Sequence, residues 1–334
     1  MSERLLKLIL TILAIVGVAL AGCGKTPTKP KPGGPEPTWA TYTTLNSGLV
    51  NDYVYAVAID AQGNKWFGTY NGVSKFDGTN WTTYKTSNSG LANNEVDAIA
   101  VDASGNKWFG TYYGGVSKFD GTNWITYNTS NSGLPDNGVL AIAIDAQDNK
   151  WFAAEFSGVS RFDGTNWTTY NTSNSGLVSN FVMAIAVDAS GKKWFGTSDG
   201  VSEFDGTSWT TYDTLNSGLA ENYVPAIAID ASGNKWFGSR LAGVSKFDGT
   251  SWAVYDTSNS GLADNYVDAI AIDASGNKWF GIMGAGVSKF DGTNWITYNW
   301  TTSGLVTNDV AAIAIDASGN KWFGTYGGVS KFHE

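Results

Sequence analysis

Residues 90–127 read GLANNEVDAIAVDASGNKWFGTYYGGVSKFDGTNWITY, and this stretch decides the fold. Val96–Val101 is a short apolar, β-prone run, ended by the turn Asp102–Asn106. Lys107–Gly110 is a second short run, and Gly115–Phe119 a third, closed by Asp120-Gly121. Trp124–Tyr127 is a fourth. An Asp-Gly pair between two apolar runs marks a hairpin, because its turn needs a positive φ that glycine supplies without strain. The first run is nearly continuous in apolar residues, which predicts an inner strand buried on both faces. The fourth alternates and is rich in threonine in most units, which predicts a solvent-facing edge.

The same four-run unit recurs along the chain. It opens with Trp-x-x-Tyr at Trp39, Trp81, Trp124, Trp167, Trp209, Trp252 and Trp295, a spacing of 42 or 43 residues. Several short strands per unit at this period predict an all-β fold, a β-propeller of four-stranded blades. The repeat begins with a fourth-type strand, Trp39–Tyr42, and stops after a third-type strand, Val329–Phe332. The expected closure is therefore seven blades, with the N-terminal strand completing the last one. An open solenoid would have no use for this complementary split. The propeller is expected over residues 39–334.

The chain has 334 residues and a formal net charge of -9. Removing residues 1–22 takes away one net positive charge. An acidic body does not suit nucleic acid, whose binding rests on neutralising phosphates. Many of the acids are repeat aspartates in the two turn types, such as Asp102 and Asp120, where turn chemistry accounts for them. Cys23 is the single cysteine and His333 the single histidine. An intrachain disulfide is excluded, as are Ser–His–Asp and Cys–His catalytic sets and a histidine-rich metal site. The turn Asp102–Asn106 lacks the alternating acids of a calcium loop, so no metal and no cofactor are expected. Paired-carboxylate catalysis needs two acids about 5–10 Å apart. Asp97 and Asp268 fall three blades apart, and Glu155 is the one loop glutamate to test for turnover. The chain is therefore read as non-enzymatic, with acid-catalysed hydrolysis or elimination the distant alternative.

Arg4 and Lys7 precede an apolar run from Leu8 to Leu20, followed by Leu20-Ala21-Gly22-Cys23. This is the layout of a secretory signal over residues 1–22, with an apolar core too short for a membrane span. Leu20–Cys23 resembles a bacterial lipobox, which implies cleavage before Cys23 and lipid attachment to its thiol. An ordinary signal peptide with a chance cysteine is the other reading. The single cysteine standing at the one position the motif requires favours the first. Residues 23–38 are rich in proline and lysine, a composition that favours an extended tether. The expected location is the bacterial cell envelope, lipid-anchored. The outer membrane is favoured because Gly24, not aspartate, follows Cys23.

The pattern Gly-Leu-x-x-Asn-x-Val-x-Ala-Ile-Ala-x-Asp-x-x-Gly-x-x-Trp-Phe-Gly-Thr-x-x-Gly-Val, clearest over Gly90–Val116 and Gly218–Val244, resembles the two-component regulator propeller repeat. The resemblance covers all seven units. It implies a ligand-sensing propeller of the kind found in the extracytoplasmic part of membrane histidine kinases. The sequence carries no kinase region, so the resemblance implies binding and not phosphorelay.

The units differ from one another chiefly on one side. The loop after the Trp-Phe pair carries Tyr70, then Tyr112 and Tyr113, Glu155 and Phe156, Arg240, Met283 and Tyr326 in six of the units, and Ser198 and Asp199 in the fourth. The second residue of each inner strand also varies and includes Tyr55, Asp97 and Asp268. Both sets are expected at one face of the disc, around the mouth of its channel. Aromatic and arginine side chains are favoured anchors for sugars and proteins. These residues are the candidate ligand-binding site, for a small molecule or glycan. An envelope protein is the alternative partner, and the body is expected to be a monomer. Drift at surface loops would produce the same variation without function.

Overall fold

The computed structural model describes residues 37–334. The signal segment over 1–22, Cys23 and all but the last two residues of the 23–38 segment lie outside the described residues. The described chain forms seven four-stranded antiparallel sheets arranged as a propeller. Blade 1 runs Val54–Ile59, Lys65–Thr69, Gly72–Phe76 and Trp81–Tyr84 from the channel outward. Five further blades repeat that order. Blade 7 takes Val310–Ile315, Lys321–Thr325 and Gly328–His333 from the C-terminus, and its outer strand, Thr38–Tyr42, from the other end of the repeat array. Trp39 pairs with Phe332 and Tyr42 with Val329, so the ring is closed by two strands from opposite ends of the described residues.

The turns behave as their residues require. Asp77 Oδ1 accepts the backbone N–H groups of Thr79 and Asn80 at 2.8 and 2.7 Å, and Gly78 takes φ +107° between them. A side-chain acceptor that copies a backbone turn is what makes aspartate the first residue of such hairpins.

One expectation is corrected. The inner strands are not the most buried: Val54–Ile59 is only partly buried along its length because it lines the channel. The second strands carry the core instead, with Lys107–Thr111 and Lys193–Thr197 buried at every position. Each blade is packed through its Trp-Phe pair, and the pair points both ways. Phe109 of blade 2 packs with Trp66 and Val73 of blade 1, while Trp108 joins Phe152 and Val139 of blade 3. The hydrophobic core is thus seven separate clusters, one at each blade boundary, and dispersion contacts between blades hold the ring.

A second device spans each boundary. Asp60 Oδ2 accepts the indole N–H of Trp66 at 2.9 Å, and the same bond recurs in all seven blades. Lys107 of the next blade lies 5.2 Å from the centre of the Trp66 ring and 3.7 Å from Asp60 Oδ2. Burial pushes the Asp60 carboxyl up, but the bonds from Asn64 and Trp66 and the Lys107 charge outweigh it and hold it below its ordinary value. These aspartates cap their turns, as expected, and at six of the seven boundaries lie within 4 Å of the next blade's lysine, whereas Lys150 pairs with Asp148 of its own blade at 2.7 Å.

Candidate functional site

The second-to-third loops, where variation was predicted, share a face with a second family of loops, which joins each outer strand to the next inner strand. Their backbones are pinned to each other. Tyr70 N–H donates to Tyr53 O at 3.1 Å, and Gly72 N–H to Asn94 O of the next blade at 2.6 Å. Equivalent bonds run from Glu155 to Gly138 and from Gly158 to Asn180. The varied side chains are therefore mounted on a fixed frame.

The variable second residue of the inner strand has a structural explanation. In six blades the register slips at that point: Val54 pairs with Thr69 and Ala56 with Gly68, which leaves Tyr55 as the extra residue of a bulge. A bulge residue is released from the ladder and its side chain is re-aimed. Blade 5 has Pro225 here, a residue that tolerates a position needing no ladder N–H, and its inner strand is shortened to Ala226–Ile229. Pro225 and Asp268 line the central channel, which otherwise presents alanine from all seven blades, isoleucine from six and Val57 from blade 1, around a space of about 240 Å3.

The candidate residues do not converge on one pocket. They form four groups spaced around the ring. Between blades 7 and 1, Tyr326 lies with its ring centre 5.9 Å from Tyr53 and 5.9 Å from Tyr55, edge-on to the latter. Tyr70 stands exposed in the same blade 1. In blade 2, Tyr112 is buried and props the exposed Tyr113, their ring centres 4.0 Å apart. The hydrogen bond with Tyr112, and then burial, push the Tyr113 phenol up to about 12. Glu155 sits beside them: a β-carbon added to Gly138 would meet Glu155 Oε2 at 2.7 Å and Tyr112 O at 3.1 Å.

Phe156 stacks on Phe181 at 4.8 Å and 13°. Its φ is +59°, a left-handed conformation unfavourable for a bulky side chain. In blade 5, Arg240 lies between two tyrosines, 5.8 Å from the Tyr223 ring and 5.3 Å from the Tyr266 ring. Burial and the nearby Asp268 charge raise the Tyr266 phenol well above its ordinary range, against the opposing pull of Arg240. Met283 is held by its backbone N–H to Tyr266 O at 3.1 Å and is half-buried. Asp97 is buried at its bulge in blade 2. Among the described residues no group of three His, Cys, Asp or Glu side chains is placed to hold a metal ion.

Four aromatic members of these groups were not among the sequence candidates: Tyr53, Phe181, Tyr223 and Tyr266. All occupy the variable position of the Asn/Asp-x-Val segment that enters each inner strand, so the signal was present in the repeat. Each backbone carbonyl there accepts the loop N–H in most blades, which is why side chains from the two loops meet.

No family model matches the chain, and no curated protein matches it. Solved structures do. The extracellular domain of BT3049 from B. thetaiotaomicron, described as a hybrid two-component system, is 26% identical with a TM-score of 0.78 over 89% of this chain and 41% of that one. PorZ, described as a surface component of the type-IX secretion system of Porphyromonas gingivalis, is 19% identical with a TM-score of 0.72 over 86% of this chain and 47% of its own. This chain thus spans less than half of either protein. Virginiamycin B lyase from Staphylococcus aureus is 16% identical with a TM-score of 0.71, over 90% of this chain and all of its own. The likeness is one of fold: the extracellular propeller domain of a two-component protein and a lyase share this architecture.

Proposed function

We propose that this chain is a non-catalytic, extracytoplasmic binding propeller whose variable face takes up a ligand. One observation carries the reading. The side chains that break the seven-fold repeat gather on one face, where they stack across blade boundaries on a hydrogen-bonded frame, while the opposite turns stay nearly uniform. The left-handed Phe156 supports it, since backbone strain of this kind collects at functional sites. The likeness to the extracellular domain of BT3049 supports an extracytoplasmic sensor-like role. Lipid attachment at Cys23, suggested by Leu20–Cys23, would place the disc on the cell envelope.

Two ligand classes fit an aromatic rim, an oligosaccharide and a protein. Catalysis has less support. A virginiamycin B lyase form with one histidine changed to alanine is described as catalytically inactive. The single histidine here, His333, is exposed at the far end of the third strand of blade 7, away from the variable face. The test is a thermal-shift screen of the full chain against oligosaccharides, metabolites and peptides. A saturable rise in melting temperature, lost when the second-to-third-strand loops are all replaced by the Thr197-Ser198-Asp199 version, is expected. Binding that survives the replacement overturns the reading.

A further inference from the structure

The charge of the described body is strongly polarised. The outer-to-inner loops, the second-to-third loops and the bulge positions together hold twelve carboxylates against two cations, Lys85 and Arg240, a net of -10. Everything else holds sixteen carboxylates against fourteen cations, a net of -2. The numerous turn aspartates lie in that second set and are offset by the lysines that clamp the blades. The net negative formal charge is concentrated on the variable face.

The fold does not require it there. Asp136 and Asp264 accept the N–H groups of Gly138 and Tyr266 at 2.8 and 3.0 Å, but Asn51 and Asn93 accept the same bond at 2.9 and 2.8 Å in their blades. Asp213 and Asp256 accept from Leu215 and Ser258 at 2.7 Å, where Asn128 and Asn171 accept at 2.9 Å. Asp52 binds Thr44 N–H at 2.7 Å, where Asn94 binds Thr86 N–H at 2.9 Å. Five acids therefore do a turn's work that asparagine does elsewhere in the same chain. Their charge is additional to the fold.

The same face carries exposed large apolar side chains. Tyr70, Tyr113, Phe156, Leu241 and Trp300 are each more than half exposed. Arg240, lying between Tyr223 and Tyr266, shows one pair of rings on this face receiving a guanidinium. We infer that the variable face docks a cationic protein segment, one rich in lysine and arginine. This rests on the binding-face reading above and names the partner's chemistry. The acids are spread over all seven blades and do not converge on one pocket, which suits a chain of several cations better than a single small amine. Exposed rings add cation–π attraction to the long-range field. Anionic polymers and anionic lipid surfaces are repelled by the same field.

The experiment uses the full chain and a labelled lysine- and arginine-rich peptide, followed by fluorescence anisotropy near physiological salt. Saturable one-to-one binding is expected, weakening steeply as salt rises. The variant D52N, D136N, D213N, D256N and D264N keeps each turn acceptor and should bind about tenfold or more weaker. Tyr70→Ser with Trp300→Thr, each the residue of a sister blade, should weaken binding at unchanged charge. Asp77→Asn with Asp248→Asn, on the opposite face, should leave it unchanged. If the five-site variant does not fold, Asp213→Asn with Asp256→Asn alone must still weaken binding. Equal affinity of the charge variant, or no peptide binding, overturns the inference. A neutral oligosaccharide that binds in place of the peptide, and is lost in the loop replacement, would leave the binding face standing. Peptide binding lost only in the opposite-face variant would overturn both.

Discussion

Lys65 Nζ lies 5.1 Å from the centre of the Trp322 ring and 3.9 Å from Asp316 Oδ2, so the first blade is clamped to the last where the ring closes. The same lysine stands over the tryptophan of the preceding blade at every other boundary, from Lys107 over Trp66 to Lys321 over Trp279. The closing boundary therefore carries the same lysine–indole contact as the other six, and the split of blade 7 between distant parts of the chain leaves no weaker seam in it.

Substituting Lys65 by methionine keeps much of its packing volume and removes the charge. The expected cost is about 1–2 kcal/mol, the range for a largely buried cation over an indole. Urea unfolding measures it, and Lys107→Met should cost about the same, since its boundary is built alike.

The closing strand is seated by shape as well as pairing. A β-carbon on Gly304 would lie 2.2 Å from Trp39 Cβ. Gly304→Ala is expected to displace Thr38–Tyr42 and destabilise the ring by about 1–3 kcal/mol. Deleting residues 38–42 should uncover the edge of Gly328–His333 and produce self-association, read by light scattering.

Acid stability follows from the clamps. All seven clamp aspartates have carboxyls held below their ordinary value. A carboxyl lowered in the folded state contributes stability that is present above its unfolded value, about 3.9. That contribution is lost as pH falls through the lower folded value. Melting temperature is expected to be steady down to about pH 5 and to drop steeply below about pH 4. A loss centred near neutrality would contradict this.

Phe156 separates stability from binding. Replacing it with asparagine removes a left-handed strain of about 1–2 kcal/mol and a ring stack of about 0.5–1.5 kcal/mol, which largely cancel. Phe156→Asn is expected to shift the urea midpoint little and to weaken ligand binding severalfold.

The strands were legible because turn residues punctuate them. Asp77-Gly78 and Asp60–Asn64 mark hairpins by local chemistry alone, and the unmatched strands at Trp39 and Val329 revealed the closure. The inner strands were read as doubly buried because an apolar run looks the same whether it faces a core or a channel. The clamp was not legible, since a lysine repeated in every unit does not show which blade it reaches. The charge polarity was hidden for a related reason: Asp60 and Asp264 count alike in a sum, and only the fold puts Lys107 beside the first. Tyr53, Phe181, Tyr223 and Tyr266 were overlooked because they sit one residue before an invariant valine, within a segment that reads as scaffold.

The central claim is that the variable face binds. It is tested most directly by measuring the first ligand found in the thermal-shift screen against the full chain and the loop-replaced chain by calorimetry. The account predicts that binding is lost in the replaced chain while its melting temperature stays close to that of the original. Undiminished affinity in a replaced chain that melts normally would contradict it.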